Sequence, residues 1–217
     1  MKRLVLLSLV GWGAAAGAAE TQMWNEVGLA YRATKTVSVA VAGQLRFDQD
    51  LSRLANQIGE AGVQWRAQRW LRLGLGYRLE NEKNKKDVWR RASRPHVDAR
   101  FKHRLGAVSL AYRLRWQEKT EEKANGDEQT ASLRHRLSLG YTVSKKLRPS
   151  ASAELFTRFD QGLPRQLFKL RLTASLPYKL SGKHTLKSFV RLQVPIAKAD
   201  DPLEQIIGLG YELSLKR

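Results

Sequence analysis

Between Trp70 and Glu82 the chain reads WLRLGLGYRLENE, with Leu71, Leu73, Leu75, Tyr77 and Leu79 at every second position. Arg72, Gly74, Gly76, Arg78 and Glu80 fill the places between them. A helix turns about 200° over two residues and would scatter these leucines over its whole surface. A strand sends alternate side chains to opposite faces, so the pattern predicts a strand with one apolar and one charged side.

The same grammar recurs. TVSVAVAGQLRFD, AVSLAYRLRWQEK, ASLRHRLSLGYTV, FKLRLTASLPYKL and the terminal IIGLGYELSLKR all alternate, and weaker versions lie near 23–34, 57–67, 95–104, 148–160 and 184–195. Alternating runs of about ten to thirteen residues exceed the usual strand of a soluble sandwich. They match a tilted strand crossing a bilayer, which needs roughly nine to eleven residues.

The start of the chain points to export. Met1-Lys2-Arg3 is followed by an apolar run and then by small residues ending Ala16-Gly17-Ala18, the order of a secretory signal peptide over residues 1–18. Residues 19–217 then form one domain, and the absence of cysteine leaves no disulfide framework. The formal net charge is +19, or 19 − 2 = +17 without Lys2 and Arg3. Such a surplus suits an anionic membrane surface or anionic ligands; export argues against nucleic acid as the partner.

Tight connections at 33–35, 67–69, 105–106, 144–147 and 181–183 alternate with longer polar ones at 49–56, 81–94, 118–129 and 198–203. The expected fold is therefore all-β: an antiparallel transmembrane β-barrel in the outer membrane of a Gram-negative bacterium. Short turns would face the periplasm and longer loops the exterior. Eleven segments are legible, whereas bacterial barrels usually carry even numbers, so the expectation is 10–12 strands, with Asp87–Arg94 a candidate for a hidden one. Trp24, Phe47, Trp65, Trp70, Trp116, Tyr141 and Tyr178 fall near strand ends and are expected as interfacial aromatics. DLSRLANQ reads as a short loop helix, and Lys83, Lys85, Lys86, Arg90, Arg91 and Arg94 as a basic cluster in one long loop.

Trp24, NQIGEAGVQWRAQRWLRLGLGYRLENE, SLAYRLRWQ, LRHRLSLGYTV, LRPSASAELFTRFD and the terminal GLGYEL together resemble the Gram-negative domain-of-unknown-function family 2490. The resemblance spans nearly all of residues 19–217 and implies an outer-membrane barrel that meets lipid, lipopolysaccharide and, during insertion, the barrel-assembly machinery. It brings no catalytic residues. The terminal Leu215-Lys216-Arg217 departs from the aromatic ending of many such barrels.

Parity assigns to the lumen Arg72, Arg78, Arg100, Arg104, Arg113, Arg115, Arg134, Arg136, Arg158, Arg171 and Arg191, together with Arg32, Arg46, Arg66, Lys102, Lys169 and Lys187. The inward acids are Glu26, Glu60, Glu80, Asp98, Glu154 and Glu212. Because arginine keeps its proton, this surplus of bases must be met by water, phosphate or bound anions, which predicts an anion-preferring pore or an anionic-ligand site. The competing readings are a barrel packed shut by its own ion pairs and a basic periplasmic ligand-binding barrel. A lipid-modifying enzyme would need a serine–histidine pair. His96, His103, His135 and His184 are the candidate bases, with His96 and Asp98 on one face and Ser132 and Ser138 inward, but no nucleophile motif accompanies them. Neither a metal site nor a cofactor is expected, since no cysteines and no His/Asp/Glu cluster at ligand spacing are present.

Overall fold

The computed structural model describes residues 20–49, 51–84, 87–123, 126–159, 166–197 and 202–216. The expected leader at 1–18, Lys85 and Lys86 lie outside them. The described chain forms eleven strands: β1 Glu20–Arg32, β2 Val37–Asp48, β3 Arg53–Arg66, β4 Leu71–Lys83, β5 Trp89–Leu105, β6 Val108–Glu121, β7 Glu128–Tyr141, β8 Ser150–Phe159, β9 Gln166–Lys179, β10 His184–Pro195 and β11 Glu204–Lys216. Each pairs antiparallel with the next, and the sheet closes into a barrel.

Eleven is odd, so first and last strands of an all-antiparallel meander run the same way. The barrel accordingly closes through a parallel β1–β11 seam, in unbroken register from Glu20↔Glu204 to Arg32↔Lys216. None of the eleven segments is superfluous, and Asp87–Arg94 hides no further strand, since β5 starts at Trp89 and runs through it. One consequence is that β1 begins at the opposite rim from the one where β11 ends.

Alternation sorts the wall into two surfaces. Leu75 is 65% exposed, Leu209 59% and Leu79 58%, whereas Glu154 is 2% exposed, Arg115 4% and Glu80 5%. Apolar side chains point outward and charged ones inward, the reverse of a soluble protein and the arrangement of a membrane barrel. A strand of thirteen residues rises about 43 Å along its own axis. Tilted by about 40°, it stands about 33 Å tall, enough for the apolar band of a bilayer.

The loops are shorter than their polarity suggests. β3 starts at Arg53, so DLSRLANQ is largely strand rather than helix. β4 takes up Lys83 and β5 takes up Arg90, Arg91 and Arg94, which removes four cations from the expected loop cluster. Inward-facing polar residues look like loop to hydropathy, but inside this barrel polar residues are the wall.

A small apolar knot braces the seam from inside: Trp24, Phe189 and Ile206 are all buried. Gly208 leaves room for it, because a Cβ there would overlap the Phe189 ring. Gly208→Ala should destabilise the refolded barrel by about 1–3 kcal/mol. Gly59→Ala, whose Cβ would meet nothing within 4 Å, should stay within about 0.5 kcal/mol. Urea midpoints of the detergent-folded proteins measure both.

Candidate functional site

The lumen falls into three levels. At the waist, carboxylates are shared among guanidinium groups. Glu154 Oε1 accepts from Arg113 at 2.5 Å and Arg134 at 2.9 Å, and its Oε2 lies 3.6 Å from Arg171. Asp98 takes Arg115 at 2.6 Å and 2.9 Å in bidentate fashion, and Arg100 at 2.9 Å. Glu60 pairs with Arg78 and lies 3.7 Å from Arg115, while Glu80 accepts from Arg94 at 2.7 Å and faces Arg78 at 3.4 Å. Four carboxylates thus serve seven arginines: Arg78, Arg94, Arg100, Arg113, Arg115, Arg134 and Arg171. Such pairs hold only when hydrogen-bonded on all sides, which the extra donors of arginine and the acceptor of Gln117, 3.2 Å from Arg134, help to provide.

Trp24 corrects one expectation. It shares parity with Glu26, so it points into the lumen and is only 2% exposed, not interfacial. The guanidiniums of Arg46, Arg191 and Arg171 lie 3.7, 4.5 and 5.5 Å from its ring. Each stack of this kind contributes about 0.5–2 kcal/mol, more where water is excluded. Phe156 plays a similar part against Arg134 and Arg171, at 4.6 and 4.7 Å.

Above the waist, toward the rim of the 49–52 and 122–127 connections, lies a cavity of about 570 Å³. Trp24, Arg46, Phe156 and Arg171 are among its lining, and its walls mix Glu20, Glu82, Glu121 and Glu204 with Lys83, Lys119 and Lys169. Phe47 borders it beside a register shift at Arg46/Phe47. Lys119 bonds Glu121 at 2.7 Å, and Arg158 lies 3.6 Å from Glu128, so charges there are largely matched.

Below the waist, toward the rim of the 33–36, 67–70 and 106–107 turns, the inward residues are mostly cations: Arg32, Arg66, Arg72, Lys102, Arg104 and Arg136. Glu26 is engaged by Lys187 at 2.8 Å, across the seam. Glu212 sits exposed near the rim, 2.9 Å from Ser214 Oγ.

Trp65, Trp70, Trp116, Tyr141 and Tyr178 lie on the outer face, each at least 43% exposed. Trp70 stacks on Phe101 at 5.9 Å, and the row continues through Tyr112 to His135, whose Nδ1 lies 2.7 Å from the Tyr112 hydroxyl. His184 is likewise engaged outside by Tyr211. His96 faces inward, 3.6 Å from Glu60 Oε1, with no serine within hydrogen-bond reach among the described residues. No group of His, Cys, Asp and Glu among the described residues is placed to hold a metal.

Residues 21–201 match the family model described as protein of unknown function DUF2490. The chain belongs to the DUF2490 family. No curated protein matches the sequence. Solved structures similar to this DUF2490 barrel include the β domain of the Bordetella autotransporter BrkA, with 10% identity, 80% of this chain and 82% of that one covered, and a TM-score of 0.45. A porin shares 12% identity over 75% of this chain and 54% of its own, with a TM-score of 0.36. The siderophore receptor PirA from Pseudomonas aeruginosa shares 13% identity over 79% and 34%, with a TM-score of 0.33. The chain thus spans about half the length of the porin and a third of the receptor.

Sequence parity placed most of the DUF2490 lumen but missed Arg94, hidden in an assumed loop, and the inward rings Phe156 and Phe189. Both rings sit two residues from an inward charge, Glu154 and Lys187, so the same parity pointed to them. Glu154→Gln should cost about 3–5 kcal/mol, because three arginines lose their shared anion. Glu212→Gln should leave the urea midpoint nearly unchanged, and the pair of measurements separates a waist role from a general charge effect.

Proposed function

We propose that the protein is an integral outer-membrane barrel whose lumen prefers anions and is narrowed to a constriction at the waist. The observation that carries this reading is the sharing of four carboxylates by seven arginines. Pairing still leaves three positive charges there, before Arg46 and Arg191 are added. Low-dielectric walls focus such a field along the axis and raise the local anion concentration. Trp24, Phe156 and Phe189, held under guanidinium groups, supply the bulk that narrows the passage.

Outer-membrane residence is supported by the leader-like residues 1–18 and by the apolar outer surface. In that setting the outer face meets lipid and lipopolysaccharide, assembly passes through the barrel-insertion machinery, and small anions are the species drawn into the lumen. The rim of the 33–36, 67–70 and 106–107 turns faces the periplasm. A catalytic role gains no support from His96, which lacks a nucleophile beside it.

Planar-bilayer recording tests the reading. Wild-type protein should pass a small current whose reversal potential in a salt gradient lies on the chloride side, and Trp24→Ala should enlarge it. A cation-selective current overturns the proposal. Silence from both proteins assigns the lumen to a permanently packed barrel.

A further inference from the structure

One feature of the lumen begins in the waist and runs beyond it. Across neighbouring strands, Arg66 stands directly opposite Arg72, Arg72 opposite Arg100, Arg100 opposite Arg113, and Arg113 opposite Arg136. All five have inward parity, so one unbroken row of arginines crosses β3 to β7. At about 4.8 Å per strand the row covers about 19 Å of the inner wall. Like charges directly opposite each other destabilise a sheet, and here the arrangement occurs four times in succession.

The protein neutralises this row only in part. Arg100 and Arg113 each lean toward one waist carboxylate, Asp98 and Glu154, that already serves another arginine. Arg66, Arg72 and Arg136 form no ion pair among the described residues, although Glu154 stands opposite Arg136 on β8. Arg72 stands between Arg66 and Arg100 across the sheet. The Nε groups of Arg100 and Arg113 are buried and make no hydrogen bond to protein. The opposite chamber differs, since its lining mixes acids with its cations.

Guanidinium cannot discharge itself by losing a proton, and its planar fork matches the oxygens of phosphate in pairs. A single phosphate satisfies two or three such forks. A row of five on a concave wall, with long side chains converging inward, calls for more than one. We propose that this row is a binding site for an anion carrying two or more phosphate groups, entering from the rim of the 33–36 and 106–107 turns. The site rests on the preceding reading only in that the row faces the lumen, and it requires no ion flow. Soluble polyphosphates and lipid headgroups share this chemistry; the depth of Arg100 and Arg113 inside the wall favours the soluble form.

Isothermal titration of the detergent-folded barrel with sodium tripolyphosphate tests the site. Tripolyphosphate should bind at least about thirty-fold more tightly than orthophosphate, and the Arg66→Gln/Arg72→Gln/Arg136→Gln variant should weaken it at least about thirty-fold. Lys83→Gln/Lys119→Gln, in the other chamber, should change it less than about threefold. The triple variant removes repulsion without breaking an ion pair, so without ligand it should melt at or above the wild-type temperature, which certifies its fold. Equal affinity for the two phosphates, or an unaltered affinity in the triple variant, overturns the proposal. Loss of tripolyphosphate binding in phosphatidylglycerol nanodiscs, but not in phosphatidylcholine ones, overturns the soluble ligand in favour of headgroups. Binding without anion current defeats only the pore reading, whereas anion current without binding defeats only the site.

Discussion

Hydrocarbon offers no hydrogen-bond partner, so every backbone N–H and C=O in a bilayer-spanning wall must be met by a neighbouring strand. That requirement forbids a free edge and makes closure a condition for the rest of the structure. With eleven strands in a simple meander, the only way to remove the last edge is a parallel pair. β1 and β11 supply it in continuous register, and the lumen reinforces it with the Lys187–Glu26 ion pair and the knot of Trp24, Phe189 and Ile206.

Once the outside is committed to lipid, all remaining chemistry moves inside. The waist handles this with shared carboxylates and aromatic faces, because isolated charges in a narrow, partly dry space are costly. The rim of the short turns follows another rule, since Arg66 and Arg72 stand opposite each other there with no ion pair among the described residues. A sheet gains no stability from such a row, so its explanation lies in what comes to it from the aqueous side.

Parity carried a great deal of this from residue types alone. Leu71 through Leu79 and Arg72 through Glu80 declare two faces, and the same period places Asp98, Arg115, Arg134 and Glu154 in one interior. It went astray in two ways. Polar strand ends such as 89–94 look like loop by composition, because hydropathy cannot tell a water-facing loop from a lumen-facing wall. Trp24 lies close to a strand end and so reads as interfacial, although its even position beside Glu26 sets it inside.

Alternating side chains settled the material of the two surfaces, since a period of two leaves a strand no other way to separate leucine from arginine. Register was beyond their reach. Which strand closes on which, that Arg66, Arg72, Arg100, Arg113 and Arg136 line up as one row, and that Glu154 is shared by three guanidiniums all depend on how far each strand slides past its neighbour. That sliding is fixed by closing the whole ring at once, because a displacement at any one pair must be absorbed by all the others.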